Sequence, residues 1–453
     1  MTTSSRLGPE LRRLLTIAAP LTAAYLAEYL MFVTTKLVVG ELGFLELAAI
    51  GLAGSMTWEI LVVAMGILSI TGVLAAQAEG AEDAATAGHA ARQGVIVALV
   101  LSVPLTLLVW RLDVVLGWAG QEPEVLALVK PYVATLAPIA PAVLIFAVLR
   151  NFIAALAKTR AIMVITVAAV GLNWALTEGL VFGRWGLPEL GLAGAGLATS
   201  VVNWLMLIAL VAHVWRTPAL RGYGLFRARL RVDIAIIGEF FRLGFPVAGL
   251  VAVEAGLFTA VGLLSGVIGS ETLAAHQVLM GWIGFPFMIA LALAEATMVR
   301  VAFNVGRRDP GAARYSGLTG MGTGVAVLLA LSFVPVLMAE EITRIFIPAD
   351  DPGFAEVSAI AARLMLLAAV FQVFDGLQVI AARSLRGVKD AFAPLWIGAV
   401  GYWVLGVGPG YVFAFPLGMG GEGLWIGLAI GIVAAALMLT ARFLALTVRM
   451  MRP

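Results

Sequence analysis

Two acidic residues sit where charge is expensive. Glu254, in VAVEAGLFTAVG, lies about half-way along an apolar run that offers it no basic partner. Asp375, in VFQVFDGLQV, stands between Phe374 and Gly376, with Phe371 one turn earlier. An ionised carboxylate at mid-bilayer depth costs about 2.5–3.5 kcal/mol on insertion scales. Such a group must pair, bind a cation or take up a proton. Ion-coupled exchange needs that choice, because a cation and a cargo shift a transporter only if they favour different states or compete for one site. Glu254 and Asp375 are therefore cation-coupling candidates, with Na⁺ or H⁺ as the coupling ion; any metal site is limited to Na⁺ at this pair. The plainer alternatives are a protonated Glu254 bonded within its bundle and a helix-bending Asp375 beside Gly376.

Glu28 is a third candidate, eight residues before Lys36. That spacing is a little over two helical turns, so both share roughly one face but are too far apart for a direct pair. Lys36 either snorkels to the outer interface or sets its ammonium where a bound cation would otherwise sit. Glu59, Glu178 and Glu295 also fall in apolar runs and read as structural. Lys36, Thr35, Gln277, Phe285, Phe371 and Met288 are candidate cavity residues. Aromatic faces attract organic cations, and methionine adapts to varied shapes.

The elements that place these groups are apolar and repeated. Of the 453 residues, 62% are hydrophobic and only 12% charged, against about 25% charged in a soluble protein. Runs of roughly 20 apolar residues, enough to cross a ~30 Å hydrocarbon core, recur throughout. Strand-type alternation is absent, so the spans are helical. Twelve are predicted: 14–38, 47–76, 93–117, 126–149, 161–183 and 190–214, then 241–268, 273–299, 315–338, 357–382, 391–415 and 422–447. At an offset of 226 residues Pro20 falls on Pro246, Glu28 on Glu254, Gly43 on Gly269, Asp83 on Asp309 and Gly94 on Gly320. The expected fold is an all-α polytopic membrane protein, with twelve transmembrane helices in two six-helix bundles related by an internal repeat. Residues 1–215 form the first bundle, 216–242 a basic connector and 243–453 the second.

Orientation follows from Lys and Arg at span ends. With both termini and the even-numbered loops on one side, that side takes most of the 29 basic residues. Among them are Arg12, Arg13, Arg150, Arg160, Arg307 and Arg308, and the connector's Arg216, Arg221, Arg227, Arg229, Arg231 and Arg242. Both termini are expected in the cytoplasm, in a plasma (inner) membrane. The chain has no cysteine, which excludes disulfides and thiolate metal sites.

Several segments resemble the multidrug and toxic compound extrusion (MATE) family, particularly its NorM-like branch. Pro20 to Ala53 resembles the family's opening span and G-x-L-G turn. LAAQAEGAED (Leu74 to Asp83) is similar to its A-Q-x-x-G-A-x-D segment. Leu172 to Ser200 resembles the fifth-span Asn and the P-E-L-G-x-x-G-x-G-x-A-T loop, while AAHQV and SLRGVKD match later segments. Each motif alone is weak; their order from Pro20 to Asp390 is specific. The resemblance implies two bundles enclosing a V-shaped cavity, and export of organic cations or drugs in exchange for Na⁺ or H⁺. It assigns cation coupling to Glu254 and Asp375. It also exposes a departure: where many members carry an Asp fifteen residues after the opening Pro, this chain has Thr35 followed by Lys36. Glu28 is the expected substitute.

No P-loop, G-x-S-x-G or metal-ligand cluster is visible, so energy should come from an ion gradient. Three scattered histidines do not make an intramembrane enzyme. The expected function is a secondary active multidrug or organic-cation antiporter working by alternating access. The alternative is a flippase or exporter of a lipid-linked precursor in the same superfamily. Expected partners are small organic cations or drugs and the lipid bilayer, with no cofactor, no nucleic acid and a monomeric chain.

Overall fold

The computed structural model describes residues 3–226 and 231–452, so Arg227 and Arg229 of the connector lie outside the described residues. All regular structure among the described residues is helical. Among the described residues eleven helices are long and apolar enough to cross a membrane, and a bent pair, taken as one span, makes twelve. They are α1 (Leu7–Gly40), α2 (Phe44–Gly80), α3 (Ala84–Trp110), α4 (Pro123–Leu136 plus Ile139–Ala155), α5 (Arg160–Phe182), α6 (Leu192–Arg216), α7 (Ile234–Ile268), α8 (Ser270–Gly306), α9 (Pro310–Leu337), α10 (Phe354–Gly387), α11 (Phe392–Ala414) and α12 (Gly420–Met450). Hydrocarbon offers backbone groups no water, and a helix satisfies them internally.

Three spans differ from expectation for identifiable reasons. The third ends at Trp110 instead of running to 117, and a separate short helix, Leu112–Trp118, follows where Arg111 and Asp113 interrupt the apolar run. The fourth is bent by 49°. Pro138 stands at the break and has no N–H to continue the ladder. Trp204 Nε1 donates to the Pro138 carbonyl at 2.9 Å. The seventh begins at Ile234, several residues before the predicted 241, because Asp233 Oδ1 accepts from the N–H groups of Ala235 (3.1 Å) and Ile236 (3.3 Å). That is an N-cap, which satisfies donors the first turn would leave bare.

The chain divides into two compact units: an N-terminal unit, Ala19–Ala248, and a C-terminal unit, Gly249–Pro453 joined by Met1–Ala18. The repeat shows at matched turns. Asp83 caps α3 by accepting from Thr86 N at 2.9 Å, and Asp309 caps α9 by accepting from Ala312 N at 2.8 Å. The preceding residues, Glu82 and Arg308, are both left-handed, at φ 60° and 59°. A Cβ on Gly94 would come 2.5 Å from Thr71 Oγ1, and one on Gly320 would come 2.1 Å from Thr297 Oγ1. The same helix pair therefore packs at glycine contact distance in each unit.

In the N-terminal unit, Gln93 on α3 donates to the Arg231 carbonyl at 2.6 Å and accepts from Asp233 N at 3.0 Å, pinning the segment before α7. The His89 ring 3.1 Å from Asp233 Oδ2 holds that carboxyl below the usual Asp range. Tyr223 donates to Glu79 at 2.8 Å; burial first, and then this acceptor, push its hydroxyl well above the ordinary tyrosine range.

In the C-terminal unit, Arg300 on α8 grips Glu10 through two hydrogen bonds of 2.9 Å, and Ser316 donates to Glu10 at 2.6 Å. The start of α1 is thereby fastened to α8 and α9. Further along, α11 widens into a π-helical stretch at Val400–Val407. A Cβ on Gly431 of α12 would come 2.5 Å from the Gly401 carbonyl oxygen and 2.7 Å from the Gly406 Cα, so the two helices meet on backbone there.

Candidate functional site

Each unit carries one constellation of the predicted residues. In the C-terminal unit α7 brings Glu254 and α10 brings Asp375 to a single amide. Gln378, one turn after Asp375, donates from Nε2 to Glu254 Oε1 at 3.3 Å and to Asp375 Oδ1 at 3.4 Å. Its Oε1 accepts from the Tyr402 hydroxyl at 2.7 Å. A side-chain amide has two N–H donors and one carbonyl oxygen, so Gln378 spends both donors on the two acids and its oxygen accepts from Tyr402. Both hydrogen bonds from the amide are longer than about 2.7–3.2 Å, the usual range for N–H···O. Asp375, Gln378 and Tyr402 are buried, at 3%, 1% and 0% exposure. Neither acid has an arginine or lysine ion pair among the described residues; the nearby Arg383 is instead paired with Glu295 of α8.

A polar site of this kind, with two carboxylates and no Lys or Arg ion pair among the described residues, is chemically able to hold a proton or a small hard cation. Oxygen ligands from carboxylate, amide and hydroxyl suit such an ion. No group of three or more His, Cys, Asp or Glu is arranged as a metal site among the described residues. Phe371 packs edge-on between Phe258 and Trp425 and is fully buried, forming part of the apolar floor one turn from Asp375.

The N-terminal unit holds a cavity lined by residues of α1, α2, α4, α5 and α6. Glu28, Thr35 and Lys36 all face it, with Phe32, Trp58, Met31 and Met65 among its apolar walls. Glu28 accepts from Arg150 Nη1 at 2.8 and 3.1 Å, so its charge is balanced within the cavity wall. Arg150 was expected at a cytoplasmic span end. The helix instead runs on to Ala155, which leaves Arg150 more than a turn inside it, with its side chain 11% exposed. Thr35 is buried and accepts from Asn173 Nδ2 at 2.9 Å while donating to the Met31 carbonyl at 2.9 Å. Lys36 is half-buried, with its ammonium 4.2 Å from the centre of the Phe32 ring.

The other cavity candidates are elsewhere. Gln277 is exposed, Phe285 is 41% exposed beside Trp282, and Met288 is partly buried; none lines this cavity. Glu178 and Glu295, which read as structural, are paired with Arg184 and Arg383. Sequence reasoning missed Gln378, Tyr402 and Arg150. Gln378 carried a weak signal, as an amide one turn from an isolated Asp. Tyr402 reads in sequence as one of many interfacial aromatics; it lies in the wide turn of α11, where its hydroxyl meets Gln378.

Three comparisons bear on this arrangement. The MatE family model matches residues 20–178 and 246–412, two segments beginning at the matched prolines Pro20 and Pro246. The chain is similar to a probable multidrug resistance protein NorM of Pseudomonas putida, at 38% identity over 435 residues, covering 96% of this chain and 94% of that one. It is 37% identical over 428 residues to a probable multidrug resistance protein NorM of Burkholderia pseudomallei, covering 94% and 91%. A solved structure described as the outward-facing conformation of a multidrug resistance MATE family transporter of the MOP superfamily shares the fold. Its TM-score is 0.88 at 19% identity, covering 100% of both chains.

Proposed function

We infer a function from the family to which this chain belongs, the multidrug and toxic compound extrusion (MATE) family: it is a secondary active exporter of organic cations and drugs. Transport runs by alternating access in exchange for Na⁺ or H⁺, in a plasma membrane with both termini cytoplasmic. The observation that carries this reading is the pair Glu254 and Asp375 bound to one amide with no basic ion-pair partner. A cation or proton entering between the acids balances charge that no Lys or Arg contacts directly, and its departure restores the repulsion. Conformation then depends on occupancy, which coupling requires.

Glu28 plays a lesser part. Its pairing with Arg150 has to open before it can take a cation, so coupling is assigned to the acids of the C-terminal unit. The supporting sequence features are the basic bias of one set of loops, for orientation, and the near full-length likeness to NorM proteins, for drug export. Purified protein in vesicles, loaded with a fluorescent organic cation and given separate Na⁺ and pH gradients, tests the reading. Efflux should accelerate under at least one inwardly directed gradient. Efflux indifferent to both contradicts it.

A further inference from the structure

We propose that the cavity of the N-terminal unit selects cargo bearing a carboxylate, and that Lys36 is the residue that reads it. The preferred cargo is then zwitterionic, an aromatic organic cation that also carries an acid group. This rests on the exporter reading above and specifies which member of that cargo class binds best.

Among the described residues three charged side chains line the cavity: Glu28, Lys36 and Arg150. Glu28 and Arg150 neutralise one another at 2.8 Å. Thr35 stands where the family resemblance leads one to expect an acid, and its hydroxyl is taken up by Asn173 and the Met31 carbonyl. No carboxylate is left for Lys36. Among the described residues it has no ion pair and no hydrogen bond, only the face of Phe32. Its three N–H donors are unused, and the cavity keeps one net positive charge.

A half-buried ammonium without an anion is costly, and a ligand group that supplies the anion recovers part of that cost on binding. Around it, Phe32, Trp58, Met31 and Met65 provide flat and deformable apolar surface suited to an aromatic body. A carboxylate on an aromatic frame satisfies both demands. A simple organic cation satisfies only the second and is repelled by Lys36.

The test compares a rhodamine that carries a free carboxylate with its ethyl ester, which is a cation only. Binding to the purified full-length protein in detergent is read by fluorescence anisotropy. The ratio of acid affinity to ester affinity cancels differences in partitioning. In Lys36→Gln that ratio should fall about tenfold from the wild-type value, with ester binding kept or strengthened, and in Lys36→Arg it should stay near wild type. A ratio unchanged by Lys36→Gln overturns the proposal. Should Lys36→Gln bind neither dye, Lys36→Arg decides: a preserved ratio supports the assignment and a collapsed one overturns it. Gradient-driven efflux of the ester reports separately on the exporter reading, so each can fail alone.

Discussion

Glu254 and Asp375, carried on different helices, accept hydrogen bonds from the same Gln378 amide, at 3.3 and 3.4 Å. Neither acid is neutralised by a direct salt bridge among the described residues, whereas Glu10, Glu28, Glu178 and Glu295 each contact an arginine. Within the spans, these acids thus fall into two groups. Those with arginines have their charge balanced by a direct contact, and the two without are the acids that we propose exchange ions.

Tyr402 is the outer support of this pair. Replacing it by Phe leaves Gln378 Oε1 buried without its 2.7 Å donor. An unsatisfied buried acceptor costs about 1–3 kcal/mol. Tyr402→Phe should therefore lower stability by that amount in chemical denaturation of the detergent-solubilised protein. A neutral result would mean that Gln378 does not depend on this hydroxyl.

Glu28 and Arg150 should behave as a structural pair. Removing one member of a largely buried pair strands the other, at about 3 kcal/mol or more. Glu28→Gln alone should destabilise, and the double variant Glu28→Gln with Arg150→Gln should recover part of the loss. If the two single effects simply add, the pair contributes no coupling. Dependence of efflux on the ion gradient should survive Glu28→Gln, because the acids proposed to couple, Glu254 and Asp375, lie in the other unit.

The turn before α7 should loosen in acid. The His89 bond first, and the helix N–H bonds with it, hold Asp233 below its ordinary range. A depressed folded value stabilises the folded state above the unfolded pKa of about 3.9, and that contribution fades as pH falls through the folded value. The unfolding-temperature gap between wild type and Asp233→Asn should be fully open near neutrality and close below about pH 4. A gap independent of pH would show that ionisation of Asp233 does not matter.

Two glycines on α9 should respond oppositely to alanine. A Cβ on Gly320 would lie 2.1 Å from Thr297 Oγ1, whereas one on Gly322 meets nothing within 4 Å. Gly320→Ala should cost about 1–3 kcal/mol through overpacking, and Gly322→Ala should be neutral or gain up to about 1 kcal/mol of helix propensity. Denaturation midpoints of the two variants decide it.

Much of this molecule is legible in its sequence. Spans came from apolar length because hydrocarbon admits few alternatives, and the repeat surfaced as matched Pro, Glu and Asp in runs where such residues are rare. The matched caps Asp83 and Asp309 show that the likeness extends to hydrogen bonds. Partnership was harder to read. Arg150 lies 122 positions from Glu28, and nothing in either neighbourhood announces the pair. The bend at Pro138 and the wide turn of α11 were equally hidden, since a single long apolar run conceals a break within it. Side-chain meetings across helices depend on rotation and depth, which apolar composition does not specify.

The most direct test of ion exchange at the acid pair compares wild type with Glu254→Gln and Asp375→Asn in vesicles. Both downhill cargo equilibration and gradient-driven accumulation should be followed. Each substitution should abolish the response to the coupling gradient while the protein remains folded and still binds cargo. Full gradient-driven transport in both variants would contradict it.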